Sequence, residues 1–198
     1  MRIVNLSQGS PDWLLWRDAG LGSSDARVIL TGEHFGRTRT DLWQEKVGQS
    51  HRQKQTSAMA RGSRLEPLAR DLYERQVGVR AQPCCGVHDR FDFIRASFDG
   101  YNQEHSLVVE IKAPNAEDHK VALSGQVPTK YIPQCNHLLL VSGARVLHYV
   151  SYSDNRQFSP AQQLALVVMP RDEQAVRDLL EAELDFWVAV DTRTPPQT

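Results

Sequence analysis

Apolar and polar positions follow two different rhythms along this chain, and the change of rhythm divides it into elements. Over residues 57–76, Leu65, Leu68, Ala69, Leu72 and Tyr73 recur at intervals of three and four, which predicts the longest helix with one buried stripe. The period then shortens. Runs rich in β-branched and aromatic residues at 79–87, 93–98 and 107–113 predict three strands, and the stretch 100–105 reads as the turn joining the last two into a hairpin or neighbouring pair. Helical patterns return at 117–123 and at 130–141, where Ile132, Leu138, Leu139 and Leu140 mark the inner side, with a turn at 125–128 between them. Val146–Tyr152 and 164–169 read as strands, and 172–190 as a closing amphipathic helix capped by Asp172.

The N-terminal third is helical and punctuated. Ser10-Pro11-Asp12 predicts a capped short helix carrying Trp13, Leu14 and Trp16, which Gly20-Leu21-Gly22 ends. Ser23-Ser24-Asp25 offers cap side chains for a second helix through Leu30, and 39–47 predicts a third with Leu42, Trp43 and Val47 inward. The polar, basic stretch 48–56 reads as a mobile loop, and about 193–198 as a frayed tail. Helices, three strands, helices, two strands and a last helix together predict an α/β fold with a mixed central sheet flanked by helices, in one domain over 1–198.

Composition narrows the function classes. No run of eighteen apolar residues is present to span a membrane, and no leader-like start is visible, so a cytoplasmic protein is expected. Cys84, Cys85 and Cys135 are odd in number and fit neither a disulfide framework nor zinc spacing. Net charge is −1, but residues 1–65 hold 10 Lys/Arg against 6 Asp/Glu while the remainder holds 13 against 18. One face could therefore meet phosphate while an acidic one, including Asp172, Glu173, Asp178, Glu181, Glu183 and Asp185, stays solvated.

The candidate chemistry lies in the predicted strand pair. In Glu110-Ile111-Lys112, alternation sends the carboxylate and the ammonium to the same side with Ile111 opposite. Pairing across the turn would bring Asp99 opposite Glu110. Such a charged pair on a solvated edge strand would be ordinary, but Val108, Val109 and Ile111 mark a strand near the middle of a sheet. Charges there are costly unless paired or bound to metal, so two carboxylates beside an amine suit a divalent cation and a water.

These residues sit within a longer series: Trp13-x3-Arg17-x6-Ser24, Gly62-x3-Glu66-x3-Arg70, Ser97-x-Asp99-Gly100, Glu110-x-Lys112 and Tyr131-x2-Gln134-x-Asn136. In that order they resemble the PD-(D/E)XK nuclease superfamily and, more narrowly, the lambda exonuclease (YqaJ-like viral recombinase) family of phage and prophage alkaline exonucleases. The resemblance runs from about Asp12 to Tyr152; Phe98 stands where the superfamily usually has Pro, and Asn136 where a second glutamine is usual.

The resemblance implies a restriction-endonuclease-like core and a Mg²⁺-dependent 5′→3′ exonuclease. Such an enzyme would digest one strand of linear duplex DNA to 5′-mononucleotides, leaving 3′ single-stranded tails for phage-type recombination. Asp99, Glu110 and the main-chain carbonyl of Ile111 would be metal ligands, with Glu66 on a second ion. Hard oxygen donors favour Mg²⁺, with Mn²⁺ able to substitute. Lys112 would orient and help deprotonate the attacking water with a lowered pKa. Arg17, Ser24 and Ser97 would bind the terminal 5′-phosphate, and Gln134 would contact the strand or a metal-bound water near the cut. A ring-shaped homotrimer around DNA and a single-strand annealing partner are also implied. Two rival readings share the fold: an endonuclease of restriction or repair type, and a non-catalytic DNA-binding subunit. No separate sequence-reading module favours the former, and a dead subunit would have no need of Asp99, Glu110 and Lys112 together.

Overall fold

The computed structural model describes residues 1–50 and 56–196. Its frame is a six-stranded sheet in the order β1-β4-β5-β6-β7-β8, built from Arg2–Val4 (β1), Gln82–Val87 (β4), Arg95–Asn102 (β5), Leu107–Lys112 (β6), Val146–Tyr152 (β7) and Leu164–Pro170 (β8). A two-stranded hairpin, Glu33–His34 (β2) with Arg37–Thr38 (β3), stands apart from it. The helices are Pro11–Asp18 (α1), Ala26–Thr31 (α2), Arg39–Lys46 (α3), Ser57–Val77 (α4), Ala116–Leu123 (α5), Ile132–Ser142 (α6) and Glu173–Asp191 (α7). The sheet is mixed because β6 pairs antiparallel with β5 and parallel with β7. The expected α/β arrangement is the one observed.

Alternation along β6 separates two cores. Leu107, Val109 and Ile111 pack with Leu65, Ala69 and Tyr73 of α4 on one face. Val108 packs with Ala96, Phe98 and Leu138 and Leu139 of α6 on the other. Both faces of β6 are therefore covered, as a strand paired in parallel requires. A third cluster joins Val28 and Ile29 of α2 and Leu42 and Trp43 of α3 to Phe186 and Val190 of α7.

Several expectations change. Leu68 is 45% exposed, so the buried stripe of α4 is narrower than its spacing implied. The stretch 100–105 is not all turn: β5 runs to Asn102, and the chain reverses between it and β6. Gly100 is a strand residue, kept small because a Cβ there would lie 2.8 Å from Cβ of Ala81. Strand β1 and the β2–β3 hairpin, two or three residues long, are too short for a strand period to show in the sequence. Glu183 is fully buried rather than on a solvated face. Its Oε1 lies 2.6 Å from Nδ1 of His137, whose Nε2 lies 2.8 Å from the carbonyl of Arg95. Burial alone would lower the His137 pKa, but Glu183 outweighs it and raises it. The expected loop at 48–56 lies mostly outside the described residues, as do the last two residues of the tail.

Candidate active site

The site begins with an irregularity in β5. Cys84 pairs with Phe98 but Gln82 pairs with Tyr101, so β5 holds one more residue than β4 over this stretch, the count of a β-bulge. The extra residue breaks strict alternation around Asp99. On the other side, the β5–β6 ladder starts at Gly100 opposite Val109, and Asp99 replaces a backbone partner: its Oδ2 accepts the N–H of Ile111 at 2.8 Å. In an extended strand the N–H and C=O of one residue share a side. The Ile111 carbonyl therefore opens toward Asp99.

Next to Asp99, Glu110 is 2% exposed and holds two partners through Oε1: Nζ of Lys112 at 2.5 Å and Nε2 of Gln134, from α6, at 2.7 Å. Lys112 also lies 5.7 Å from the ring centroid of Tyr131. Burial pushes the Glu110 carboxyl up to about 7, with Lys112 opposing and Asp99 and Glu66 adding to the rise. Asp99 is likewise raised by burial, against Lys112 and the Ile111 N–H. Lys112 behaves contrary to expectation. Burial acts to lower its pKa, but Glu110 and Asp99 outweigh burial and hold it above the usual lysine range.

Glu66 reaches the same locality from α4. Its carboxylate is paired with Arg70 one turn on, and burial followed by the charge of Asp99 raises its pKa. Arg70 does a second thing that its helical spacing did not reveal: its Nε donates to the carbonyl of Asp99 at 2.8 Å, tying α4 to the bulge.

The residues expected to read the 5′-phosphate also come together. Arg17 and Trp13 share a face of α1, with the guanidinium 5.0 Å from the indole, and Arg17 Nη2 donates to Ser24 Oγ at 3.3 Å. Trp13 Nε1 donates to Ser97 Oγ at 2.7 Å, so the indole bridges helix and strand. Ser97 lies two residues before Asp99 in β5. The loop carrying Ser24 is strapped to β5 through Leu21, which accepts from Arg95 N–H at 2.9 Å and donates to the Phe93 carbonyl at 2.6 Å. Gly20 is required there, since a Cβ would lie 2.5 Å from the Phe93 oxygen.

Three contributors were missed in the sequence: the Trp13 bridge, the Arg70 contact, and Ser23, whose Oγ lies 3.4 Å from Gln134 Nε2. The signal for the first two was present, as Trp13 is four residues from Arg17 and Arg70 four from Glu66. Of the three cap candidates Ser23, Ser24 and Asp25, it is Asp25 that occupies the N-cap position of α2, and it makes no side-chain cap bond. It is fully buried instead, bonded to Arg37 Nη1 at 2.9 Å, Lys46 Nζ at 3.1 Å and the N–H of Gly22 at 3.1 Å. Asn136 is buried with its Oδ1 unpartnered among the described residues.

The donor set fits a hard divalent cation. Burial raises the pKa of all three carboxyls; the charge of Asp99 adds to the rise of Glu66, and those of Asp99 and Glu66 to the rise of Glu110, so three hard oxygen donors share one locality with two cations. Among the described residues no three Asp, Glu, His or Cys side chains already converge on a single ligand position. Lys112 and Arg70 hold Glu110 and Glu66 in this arrangement.

The mixed six-stranded sheet flanked by helices is a restriction-endonuclease-like α/β fold. It is shared with the alkaline exonuclease LHK-Exo from Laribacter hongkongensis, at a TM-score of 0.81 and 22% identity over 93% of this chain and 94% of that one. A phage-related exonuclease from Haemophilus somnus 129PT is similar at a TM-score of 0.63 and 11% identity, over 88% and 96% of the respective chains. The model of the YqaJ-like viral recombinase domain matches residues 12–145, and the chain belongs to that family. The uncharacterized protein YqaJ of Bacillus subtilis (strain 168) is 28% identical over 188 residues. That match takes in 92% of this chain and 57% of YqaJ, so the chain spans little more than half the length of that relative. Among the described residues, no helix is long and apolar enough to cross a membrane.

Proposed function

We propose that this chain is a metal-dependent deoxyribonuclease, a 5′→3′ exonuclease that removes 5′-mononucleotides from one strand of linear duplex DNA and leaves 3′ single-stranded tails. The observation that carries the reading is buried Glu110, held by the half-buried Lys112 and Gln134, beside a bulged Asp99. Family membership and the fold shared with two exonucleases support it, as does the crystallisation of LHK-Exo with dAMP.

Asp99, Glu110 and the Ile111 carbonyl would hold Mg²⁺ or Mn²⁺, and Glu66 a second ion. When bound, these ions supply an activated water and charge neutralisation at the phosphoryl and leaving oxygens. The protein's own groups do the remainder. Lys112 begins as an ammonium because Glu110 and Asp99 hold its proton. Were those carboxylates to hold a bound cation, burial would be the largest effect left on Lys112, and its amine, having given its own proton to solvent, could accept one from the attacking water. Gln134 keeps Glu110 aligned through its amide. Water oxygen bonds to phosphorus as the P–O3′ bond breaks, so the departing nucleotide keeps its 5′-phosphate, and its O3′ takes a proton from solvent to become the 3′-hydroxyl. The shortened strand then carries a fresh 5′-phosphate, which Arg17, Ser24 and Ser97 can hold for the next cycle. The resemblance further carries a ring-shaped homotrimer around DNA and a single-strand annealing partner, and a cytoplasmic setting is proposed with them.

A time course on linear 5′-phosphorylated duplex and on covalently closed circular plasmid, each with Mg²⁺ and with EDTA, tests the reading. Mononucleotides from the linear DNA alone, abolished by EDTA, are expected. Digestion of the closed circle would make the protein an endonuclease, and no release from either would leave it a binding subunit. Arg17→Ala should slow hydrolysis of 5′-phosphorylated ends by roughly tenfold or more, the value of a hydrogen bond to a charged group. Equal losses on phosphorylated and unphosphorylated ends would remove Arg17 as the end reader.

A further inference from the structure

The β2–β3 hairpin turns on two residues with left-handed backbone, Phe35 at φ 51° and Gly36 at φ 75°. Two-residue hairpin turns of this kind ordinarily take Asn-Gly. Gly36 suits its position, but Phe35 is a bulky residue in a region that such side chains rarely adopt. Burial does not explain its presence, since Phe35 is 78% exposed. An aromatic ring held in a disfavoured conformation and left in water gives the isolated fold little, and invites a ligand that needs a ring.

The surroundings name the ligand. Nζ of Lys130 lies 5.5 Å from the Phe35 ring centroid and 5.1 Å from that of Tyr131, and Tyr131 in turn lies 5.7 Å from Nζ of Lys112. Phe35 is thus the outer end of a line of rings and ammonium groups that leads inward to Glu110. The His34 ring flanks it at 4.1 Å, and Arg27 is near enough to His34 to bear on its charge. The Nε of Arg27 is buried without a hydrogen-bond partner among the described residues. Lys130 is held in place by Asp118 at 2.5 Å, so the ring stands beside a fixed ammonium; an exposed ring for a base with cationic groups near it is what single-stranded nucleic acid requires.

We propose that Phe35 is a stacking platform for an unpaired base of the DNA strand presented to the Glu110–Lys112 site. This rests on the nuclease reading above and adds a specificity-determining contact to it. The platform favours substrate ends whose terminal bases are already unpaired, because no stacking within the duplex is then lost in reaching the ring.

The test uses a duplex with a short unpaired 5′ flap carrying 2-aminopurine, whose fluorescence falls on stacking, bound in EDTA so that nothing is cut. The native chain and Phe35→Trp should quench the probe. Phe35→Ala and Phe35→Gly should lose most of the quenching and bind the flap about tenfold more weakly, as expected for one lost base–aromatic stack. Phe35→Gly relieves the backbone, so its thermal midpoint should be no lower than native, which separates lost stacking from lost folding. Native-like quenching and affinity in Phe35→Gly would overturn the platform. Nucleotide release by the native chain in Mg²⁺ judges the nuclease reading independently: release together with unaffected variants sinks the platform alone. Absence of release sinks the nuclease, and quenching still decides Phe35.

Discussion

Asp99→Asn and Lys112→Ala are each expected to lower Mg²⁺-dependent nucleotide release by about three orders of magnitude, the effect of losing ~4 kcal/mol of transition-state stabilisation. For Asp99 the expectation has a second half. Its carboxyl, like that of Glu110, is pushed up by burial, so its charged form is disfavoured by folding. A group with a raised folded pKa stabilises most when protonated. For Glu110 that contribution is complete below the ordinary carboxylate range and is lost as pH rises through about 7. Neutral Asn at position 99 should therefore leave the unfolding midpoint at neutral pH unchanged or raised while activity disappears. Active sites that crowd like charges commonly show this opposition between stability and function. Turnover within tenfold of native in either variant would remove the proposed chemistry, whatever its stability.

Asp25→Ala should be the most destabilising single substitution at this end of the molecule, by about 3–5 kcal/mol, the usual effect of removing one member of a buried ion cluster. The reason is geometric. Arg37 and Lys46 both point their charges at Asp25, Arg37 also pairs with Glu45, and Lys46 Nζ donates to the Gly20 carbonyl at 2.6 Å. Loss of the carboxylate leaves two cations short of a partner and frees the turn from Gly22 to Asp25 that presents Ser23 and Ser24. Urea denaturation reads the loss as a lowered midpoint at unchanged slope. A change below 1 kcal/mol would show that the cluster contributes little net energy, as buried ion pairs can.

Asp25 also shows why some of the site escaped a linear reading. Ser-Ser-Asp before an apolar run has the composition of a helix start, and local chemistry supports that reading. The decisive partners, Arg37 and Lys46, lie 12 and 21 residues further on, and nothing in the spacing announces that they fold back. The β2–β3 hairpin that delivers Arg37 is too short for a strand period to emerge. Phe35 was invisible for the same reason: its significance is exposure and a positive φ, and composition encodes neither.

The chain's own pattern determined the long helix that carries Glu66, the apolar strand that carries Glu110 and Lys112 on one side, and the mixed α/β class that follows from their order. Helical and extended periods are local properties, so a sequence displays them directly. Tertiary structure alone decided how Asp99 meets Glu110. One extra residue in β5 against β4 re-aims its carboxylate to the Ile111 N–H, while α1, α4 and α6 bring Trp13, Arg70 and Gln134 to the same place. Register and helix docking are set by which distant surfaces bury one another, and no local period records that choice.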